Sequence, residues 1–358
     1  MNAIVTPPSL AIRVADIAQP DEARRIDAYV RAADGATPFH LSGWSRAVAK
    51  GCEQVSHYLI AEDGDAQIGG VLPLTEVHSP LFGRALVSSG FAVDGGVLTQ
   101  SPVIAAQLIA AAHALAARLS CPTLELRGGM MPSAGWHHDD STYLGFVRDL
   151  AQNDEAELLA IPRKQRAEVR RALGFDLQVE IGASDADRAA HYDVYAQSVR
   201  NLGTPVFPRA MFAAVMEEFG DEADILTVRH NGKAIASVLS LYWCGTVMPY
   251  WGGGTNDARV WRANDLMYYA LMLHARKAKS CTRFDFGRSK AGTGPAAFKR
   301  NWGFEGAPLA YAKLALDGCD VRDINPMSPK YRMQVAMWQR LPLGIANRIG
   351  PIIARGLG

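Results

Sequence analysis

The densest concentration of reactive side chains is the run FDFGRSKAGTGPAAFKRNWGFE, residues 284–305. It reads as a strand, a glycine-punctuated loop bearing Arg288 and Lys290, a short helix opened near Pro295, then Phe298-Lys299 and Trp302-Gly303-Phe304. Acyl transfer to an amine passes through a tetrahedral oxyanion, and a cation fixed beside an apolar wall can stabilise it. Lys299, flanked by Phe298 and Trp302, is the candidate for that task; a solvated surface lysine is the ordinary alternative. Asp285 alternates with Phe284 and Phe286, so it faces away from both aromatics and could accept a proton from the attacking amine. The plainer reading of Asp285 is a strand-end carboxylate bonded to a neighbouring loop.

Two further segments have chemistry in reach. In IPRKQRAEVRRALG a helix is expected from near Pro162 to Gly174, and it would carry Arg163, Arg166 and Arg170 on one face with Lys164 and Arg171 alongside. Guanidinium groups hold phosphate oxygens in pairs, so the face suits an anionic ligand as well as it suits water. Tyr250-Trp251-Gly252-Gly253-Gly254 ends a strand and precedes a helix expected to be capped by Asn264 or Asp265. Glycine lets a ligand approach the main chain, and a helix start offers N–H groups to an anion. His137-His138-Asp139-Asp140 are adjacent, do not converge easily on one ion and have no distant ligand set, so no metal is assigned.

These segments need a scaffold, and the chain repeats one. The first half runs HYLIAED, a turn at Gly64-Asp65, AQIGGVLPLTEV, RALVSSGFAVDGG, a helix AAQLIAAAHALAARLSC and TLELRGG. The second runs ADILTVRH, a turn at Asn231-Gly232, KAIASVLSLYW, TVMPYWGGG, a helix NDLMYYALMLHARKAKSC and RFDFGRS. Asn-Gly between β-rich runs signals a tight hairpin. Leu266, Tyr269, Ala270 and Leu273 share one helical face, and the helix exits match as Ser120-Cys121 and Ser280-Cys281. The order implies an α/β (α+β) protein of two tandem domains, each a mixed sheet with flanking helices. The expected boundaries are 1–150, 151–318 and a basic tail at 319–358.

Composition narrows the function. At 358 residues, with 49% apolar and 20% charged residues, the chain can build two cores. Lysines and arginines (37) exceed aspartates and glutamates (36) by one, so overall charge selects no polyanionic partner. No GxGxxG opens a helix after a first strand and no GxxxxGK[ST] occurs, which removes nicotinamide dehydrogenases and P-loop ATPases. Five scattered cysteines without a CxxC pair imply neither zinc nor a disulfide framework, and with no leader-like N-terminus or long apolar run a cytoplasmic protein is expected.

With FHLSGW, IPRKQRAEVRRAL, MPYWGGGTND, RFDFGRSK and AAFKRNWGF in view, the chain resembles the FemAB family of GNAT-like acyltransferases with two tandem domains. The last stretch looks like that family's FKxxFG motif, which carries an active-site lysine, and this implies Lys299 with Phe298 as its neighbour. The resemblance also implies that Arg166 and Arg170 lie near the anionic part of the acceptor. FDFGRSKAGTG and the tail are similar to FemAB-like proteins that accompany exosortase and PEP-CTERM exopolysaccharide systems. His40 stands where the family usually has glutamine and Trp302 where it usually has phenylalanine, and the long heptad arm of classical members is lacking.

The expectation is therefore an acyltransferase that moves an aminoacyl or acyl group onto an amine of a sugar-linked or peptide cell-envelope or exopolysaccharide precursor. Lys299 and Asp285 would be its catalytic groups. Arg163, Lys164, Arg166, Arg170, Tyr250, Gly252, Gly253, Arg288, Lys290 and Phe298 would bind substrate. No cofactor would be tightly bound, and the donor would be aminoacyl-tRNA or acyl-coenzyme A. GNAT enzymes that use coenzyme A carry [RQ]xxGx[GA] before a helix; the nearest match here, Arg288 to Gly294, is one residue too long and follows the wrong strand. A coenzyme A-dependent N-acetyltransferase and a non-catalytic assembly module are the alternatives. After Asp323 the chain has Lys330, Arg332, Arg340, Arg348 and Arg355 with no acidic residue, interleaved with apolar ones, which suits either peripheral contact with an anionic inner membrane or docking on the protein itself.

Overall fold

The structure, a computed structural model, describes residues 10–133, 135–316 and 329–358, with side chains in the last span from Met333 onward. The expected tail boundary at 319 lies outside the described residues. In chain order the strands are β1 (Ala11–Ala15), β2 (Val55–Glu62), β3 (Ile68–Ser79), β4 (Gly83–Ser88), β5 (Thr123–Arg127), β6 (His137–Asp139), β7 (Tyr143–Asp149), β8 (Gln178–Gly182), β9 (Ala223–His230), β10 (Lys233–Trp243), β11 (Thr246–Gly254), β12 (Arg283–Lys290), β13 (Gly306–Pro308) and β14 (Tyr311–Ala315). Among the described residues they form two seven-stranded sheets, β1-β2-β3-β4-β5-β14-β6 and β13-β7-β12-β11-β10-β9-β8. Both are mixed, with one parallel pair each, β4 with β5 and β11 with β12, and helices flank them as expected.

The duplication extends to backbone detail. Asn231 and Gly232 both take positive φ, +50° and +77°, the geometry a two-residue hairpin turn needs, and Lys233 pairs with His230 across it. The helices Pro102–Arg118 and Ala263–Lys279 end alike: Ser120 and Ser280 both turn left-handed at φ +53°. The next amides, of Cys121 and Cys281, each donate back to a helix carbonyl at 2.9 Å, satisfying groups a helix end leaves open. Each helix covers its own sheet, the first with Ile104, Leu108, Ala112 and Leu115, the second with Leu266, Met267, Leu271 and Met272.

The two compact units are not the two consecutive halves. The first holds β1 to β6, β14 and residues 355–358; the second holds β7 to β13 and the described residues 329–354. A boundary at 150 assigns Tyr143–Asp149 to the first domain, whereas β7 pairs with β12 and β13 in the second sheet. Conversely β14, from the second half, lies between β5 and β6 in the first. Each half thus contributes one interior strand to the sheet of the other. The first unit packs Leu72, Leu74, Leu86 and Leu124 in its core; the second packs Phe146, Phe284, Trp302 and Phe304. Full burial of one such aromatic is worth roughly 2–3 kcal/mol against exposure.

Candidate active site

In the second unit β11 and β12 pair through two positions only, Thr246 with Arg283 and Val247 with Phe284. Beyond them the strands part, so β11 from Met248 to Gly254 keeps its ladder with β10 alone. A bulge lies in that stretch: Leu239 faces Trp251 and Ser240 faces Pro249, leaving Tyr250 as the extra residue. Bulges bend a strand and sharpen its twist, which opens the wedge. Tyr250 stacks edge-on against Trp251, with ring centroids 4.7 Å apart.

Gly252, Gly253 and Gly254 line the β11 side because larger residues would collide. A Cβ on Gly253 would sit 2.3 Å from the Ser198 Oγ, and one on Gly252 3.1 Å from the Tyr268 hydroxyl. The Tyr268 ring packs against Phe286 at 4.6 Å, Phe298 at 5.8 Å and Trp302 at 6.1 Å, so one aromatic side chain closes the base of the wedge and joins both strands. Burial raises the Tyr268 and Tyr195 hydroxyls above their ordinary range, so each phenol stays neutral at physiological pH and can donate a hydrogen bond.

The β12 side is shaped by a second bulge. Asp285 faces Val147 and Arg288 faces Gly145, so Phe286 and Gly287 together oppose Phe146. Gly287 takes φ +71°, and the Asp285 Oδ1 accepts from the Gly287 amide at 2.8 Å. Lys299, on the helix Gly294–Asn301, is 9% exposed and donates from Nζ to the carbonyls of Gly287 and Arg288, at 3.0 Å each. Burial, helped by Arg288 and opposed by Asp285, pushes its pKa from the ordinary 10.5 down to about 8. Two of its three N–H groups thus hold main chain. Asp285 accepts a hydrogen bond within its own bulge.

The remaining expected residues separate into groups. Arg288 lies over the Tyr143 ring, 4.7 Å from its centroid, and Lys290 pairs opposite Tyr143 at the end of β12. Phe298 belongs to the aromatic wall. The helix Arg163–Leu173 forms with Pro162 and Gly174 as its caps, burying Gln165, Val169 and Ala172. Arg163, Lys164 and Arg170 are exposed and, among the described residues, enter no ion pair; Arg166 donates to the Ile161 carbonyl at 3.2 Å. Gln165 donates to Asp265 at 2.5 Å, tying this helix to the start of Ala263–Lys279. That start is capped by Arg262, at φ +53°, not by Asn264 or Asp265. Asp265 sits in the first turn with its carboxyl raised by burial and by Glu168, and Arg262 pairs with Glu168 at 2.7 Å.

The first unit closes the equivalent seam. After β4 the loop Ser89–Gly96 returns the chain so that Leu98 bridges to Val71 and Val97 bridges in parallel to Gly129. A Cβ on Gly96 would fall 2.0 Å from the Gly128 carbonyl oxygen, so nothing fits between the strands. Arg127 and Tyr311 hold the loop through the Ala92 and Val93 carbonyls at 2.9 and 2.7 Å. His40 contributes from its ring to the Gly96 carbonyl at 3.1 Å and is wholly buried, so its departure from the resembled family is a matter of core packing. Trp302 is likewise fully buried.

Sequence reading missed Tyr268 and Ser198, whose proximity to the glycines arises across long stretches of chain. The only available signal was the glycine run itself, since three successive missing side chains imply close neighbours. It also sought a coenzyme A signature on β12, whereas residues 255–262, with the short helix Asn256–Val260 among them, join β11 to the helix Ala263–Lys279.

Residues 162–300 match the acetyltransferase (GNAT) domain family, so the second unit carries a GNAT-type acyltransferase domain. No curated protein matches the chain in sequence. Among solved structures it is similar to FemX, with 14% identity and a TM-score of 0.65 over 82% of this chain and 96% of that one. It is also similar to a tandem GNAT protein from the clavulanic acid biosynthesis pathway, with 14% identity, TM-score 0.57, and 87% and 100% coverage. A third is the C-terminal domain of a protein assigned as a lysylphosphatidylglycerol synthetase from Agrobacterium fabrum, with 15% identity, TM-score 0.56, and 83% and 92% coverage. At these identities the likeness establishes a shared two-domain fold.

Proposed function

We propose that the second unit transfers an aminoacyl or acyl group to an amine of a cell-envelope or exopolysaccharide precursor, in the wedge between β11 and β12. The observation that carries this reading is that the seam parts in the second unit and is bridged in the first. An extended donor bearing an amide can pair with a strand edge that has no ladder partner, and Gly252 and Gly253 let it lie close. The acceptor amine then attacks the acyl carbon, the bond to the ester oxygen or thioester sulfur breaks, and the amine gives up a proton, for which Asp285 is the nearest carboxylate of the β12 bulge. Lys299 keeps the bulge in shape and has its third N–H for the oxyanion. Arg163, Lys164, Arg166 and Arg170 supply cations for a phosphate on the acceptor.

Between donors, Asp265 in the first turn of Ala263–Lys279 favours aminoacyl-tRNA, because a carboxylate there opposes a pyrophosphate on that helix turn. The GNAT family match favours the second reading, coenzyme A-dependent N-acylation. A cytoplasmic protein working at the inner membrane, where precursors of this kind are lipid-linked, fits either. The test is transfer to glucosamine or a peptide amine from acetyl-coenzyme A and, separately, from charged tRNA, followed by mass spectrometry. Product from charged tRNA alone supports the first reading, product from acetyl-coenzyme A alone the second, and none from either removes both.

A further inference from the structure

The helices Pro329–Arg340 and Leu343–Ala354 dock on the second unit by faces that can be named. On the first, Val335 and Gln339 lie against Gly203, where a Cβ would meet the Val335 Cγ1 at 2.4 Å, and Arg200 donates to the Gln339 carbonyl at 3.1 Å. On the second, Ala346, Gly350 and Ala354 are buried, with Gly350 against Val206 and the Trp338 ring. The opposite faces are then fixed by helical spacing. Met333, Met337 and Arg340 fall at i, i+4 and i+7, as do Ile345, Ile349 and Ile352, with Arg348 beside Ile349. All five apolar side chains are exposed, Met337 at 64% and Ile352 at 60%, and both arginines point to solvent.

We infer that these outward faces seat the protein on an anionic lipid surface, with the methionines and isoleucines entering the acyl boundary and Arg340 and Arg348 meeting phosphate headgroups. Charge complementarity selects this occupant. No acidic residue follows Asp323, so a second copy of the same face would bring arginine against arginine, whereas an anionic bilayer answers both arginines and accepts the apolar stripe. Among the described residues no helix is long and apolar enough to cross a membrane, which leaves lying on the surface as the mode of contact. The docked inner face explains why the tail can bind the protein and lipid at once. The inference rests on these contacts and not on the acyl-transfer reading.

The test is co-sedimentation of the full chain with vesicles of phosphatidylcholine alone or mixed with phosphatidylglycerol. Wild-type protein should pellet with the anionic vesicles, stay in solution with the neutral ones, and be released by salt. Met337→Glu with Ile352→Glu places charge only where solvent now is, so the fold should hold while affinity falls roughly tenfold or more. Arg340→Gln and Arg348→Gln should each cost about fivefold, on anionic vesicles only. Wild-type protein that never pellets, or a glutamate variant that pellets undiminished, overturns the inference. So does a dimer in sedimentation velocity that the glutamate variant dissolves without any vesicle binding. Transfer to a soluble amine should be unchanged in these variants, which separates failure here from failure of the proposed reaction.

Discussion

The Lys299 Nζ lies 3.0 Å from the Gly287 carbonyl oxygen, and through that bond a helix fixes the shape of a strand twelve residues earlier. The same ammonium reaches the Arg288 carbonyl, and the Asp285 carboxylate takes the Gly287 amide. Strand, bulge and helix are one hydrogen-bonded unit at the mouth of the wedge, so disturbing any member should be felt there.

Gly287→Ala isolates the bulge. A Cβ at this position meets nothing within 4 Å, so the penalty is that of an L-residue at φ +71°, about 1–2 kcal/mol. Urea unfolding should show a lower midpoint with an unchanged slope, and the transfer rate should fall further than stability does. An unaltered midpoint would mean that the backbone does not need glycine.

Lys299 predicts an alkaline rise in stability. Its folded pKa, about 8, lies below the ordinary 10.5, so between those values the unfolded chain binds more protons and stability increases with pH. Relative to Lys299→Met, which cannot titrate, wild-type protein should gain about 2–3 kcal/mol from near pH 7 to near pH 10. Parallel denaturation curves at the two pH values would show that the amine is not held away from water.

Gly253→Ala and Ser198→Gly should be coupled. The added methyl would fall 2.3 Å from the Ser198 Oγ and 2.5 Å from its Cβ, so the first change alone should cost about 2 kcal/mol or more. The second should cost about 1 kcal/mol as a helix-interior glycine, yet recover part of the loss in the double variant. Strict additivity in the four-member cycle would contradict the packing described.

His191 governs the acid limb. It is wholly buried between Tyr195 and Phe212, with Nδ1 3.1 Å from the Ser237 Oγ and, among the described residues, no hydrogen-bond partner for Nε2, and burial pushes its pKa to about 3. A folded value below the ordinary 6.5 gives stability that is full above 6.5 and is lost as pH falls toward 3. Down to about pH 4.5 the loss should be on the order of 2–3 kcal/mol, and His191→Phe should flatten it. An identical slope in the variant would reassign acid sensitivity to other groups.

Much of the fold was legible because it rests on local rules. Asn231-Gly232 announces its hairpin, alternation buries Phe284 and Phe286 while turning Asp285 outward, and Pro162 with Gly174 bounds the arginine helix. Side-chain period carries no information about which sheet receives a strand, and the repeat as read ended at TLELRGG, before Tyr143–Asp149, so the exchange of β7 and β14 was invisible. The wedge was half legible: glycines on β11 signalled close approach, while Tyr268 and Ser198 as the approaching groups depend on tertiary packing. Lys299 was identifiable as unusual from its aromatic neighbours, but a lysine bonded to main-chain carbonyls has no pattern in residue types. Arg262 as a left-handed cap contradicts local preference, which is why Asn264 and Asp265 looked better.

The exchanged strands impose an order on biosynthesis. The ribosome delivers β1 to β6 early, yet the place between β5 and β6 stays vacant until residues 311–315 emerge, after every strand of the second sheet has been made. A nascent first unit therefore waits with two interior strand edges exposed, a template for any extended segment nearby. Separating the chain after residue 150 would make that condition permanent in both fragments, since each sheet would lack one interior strand.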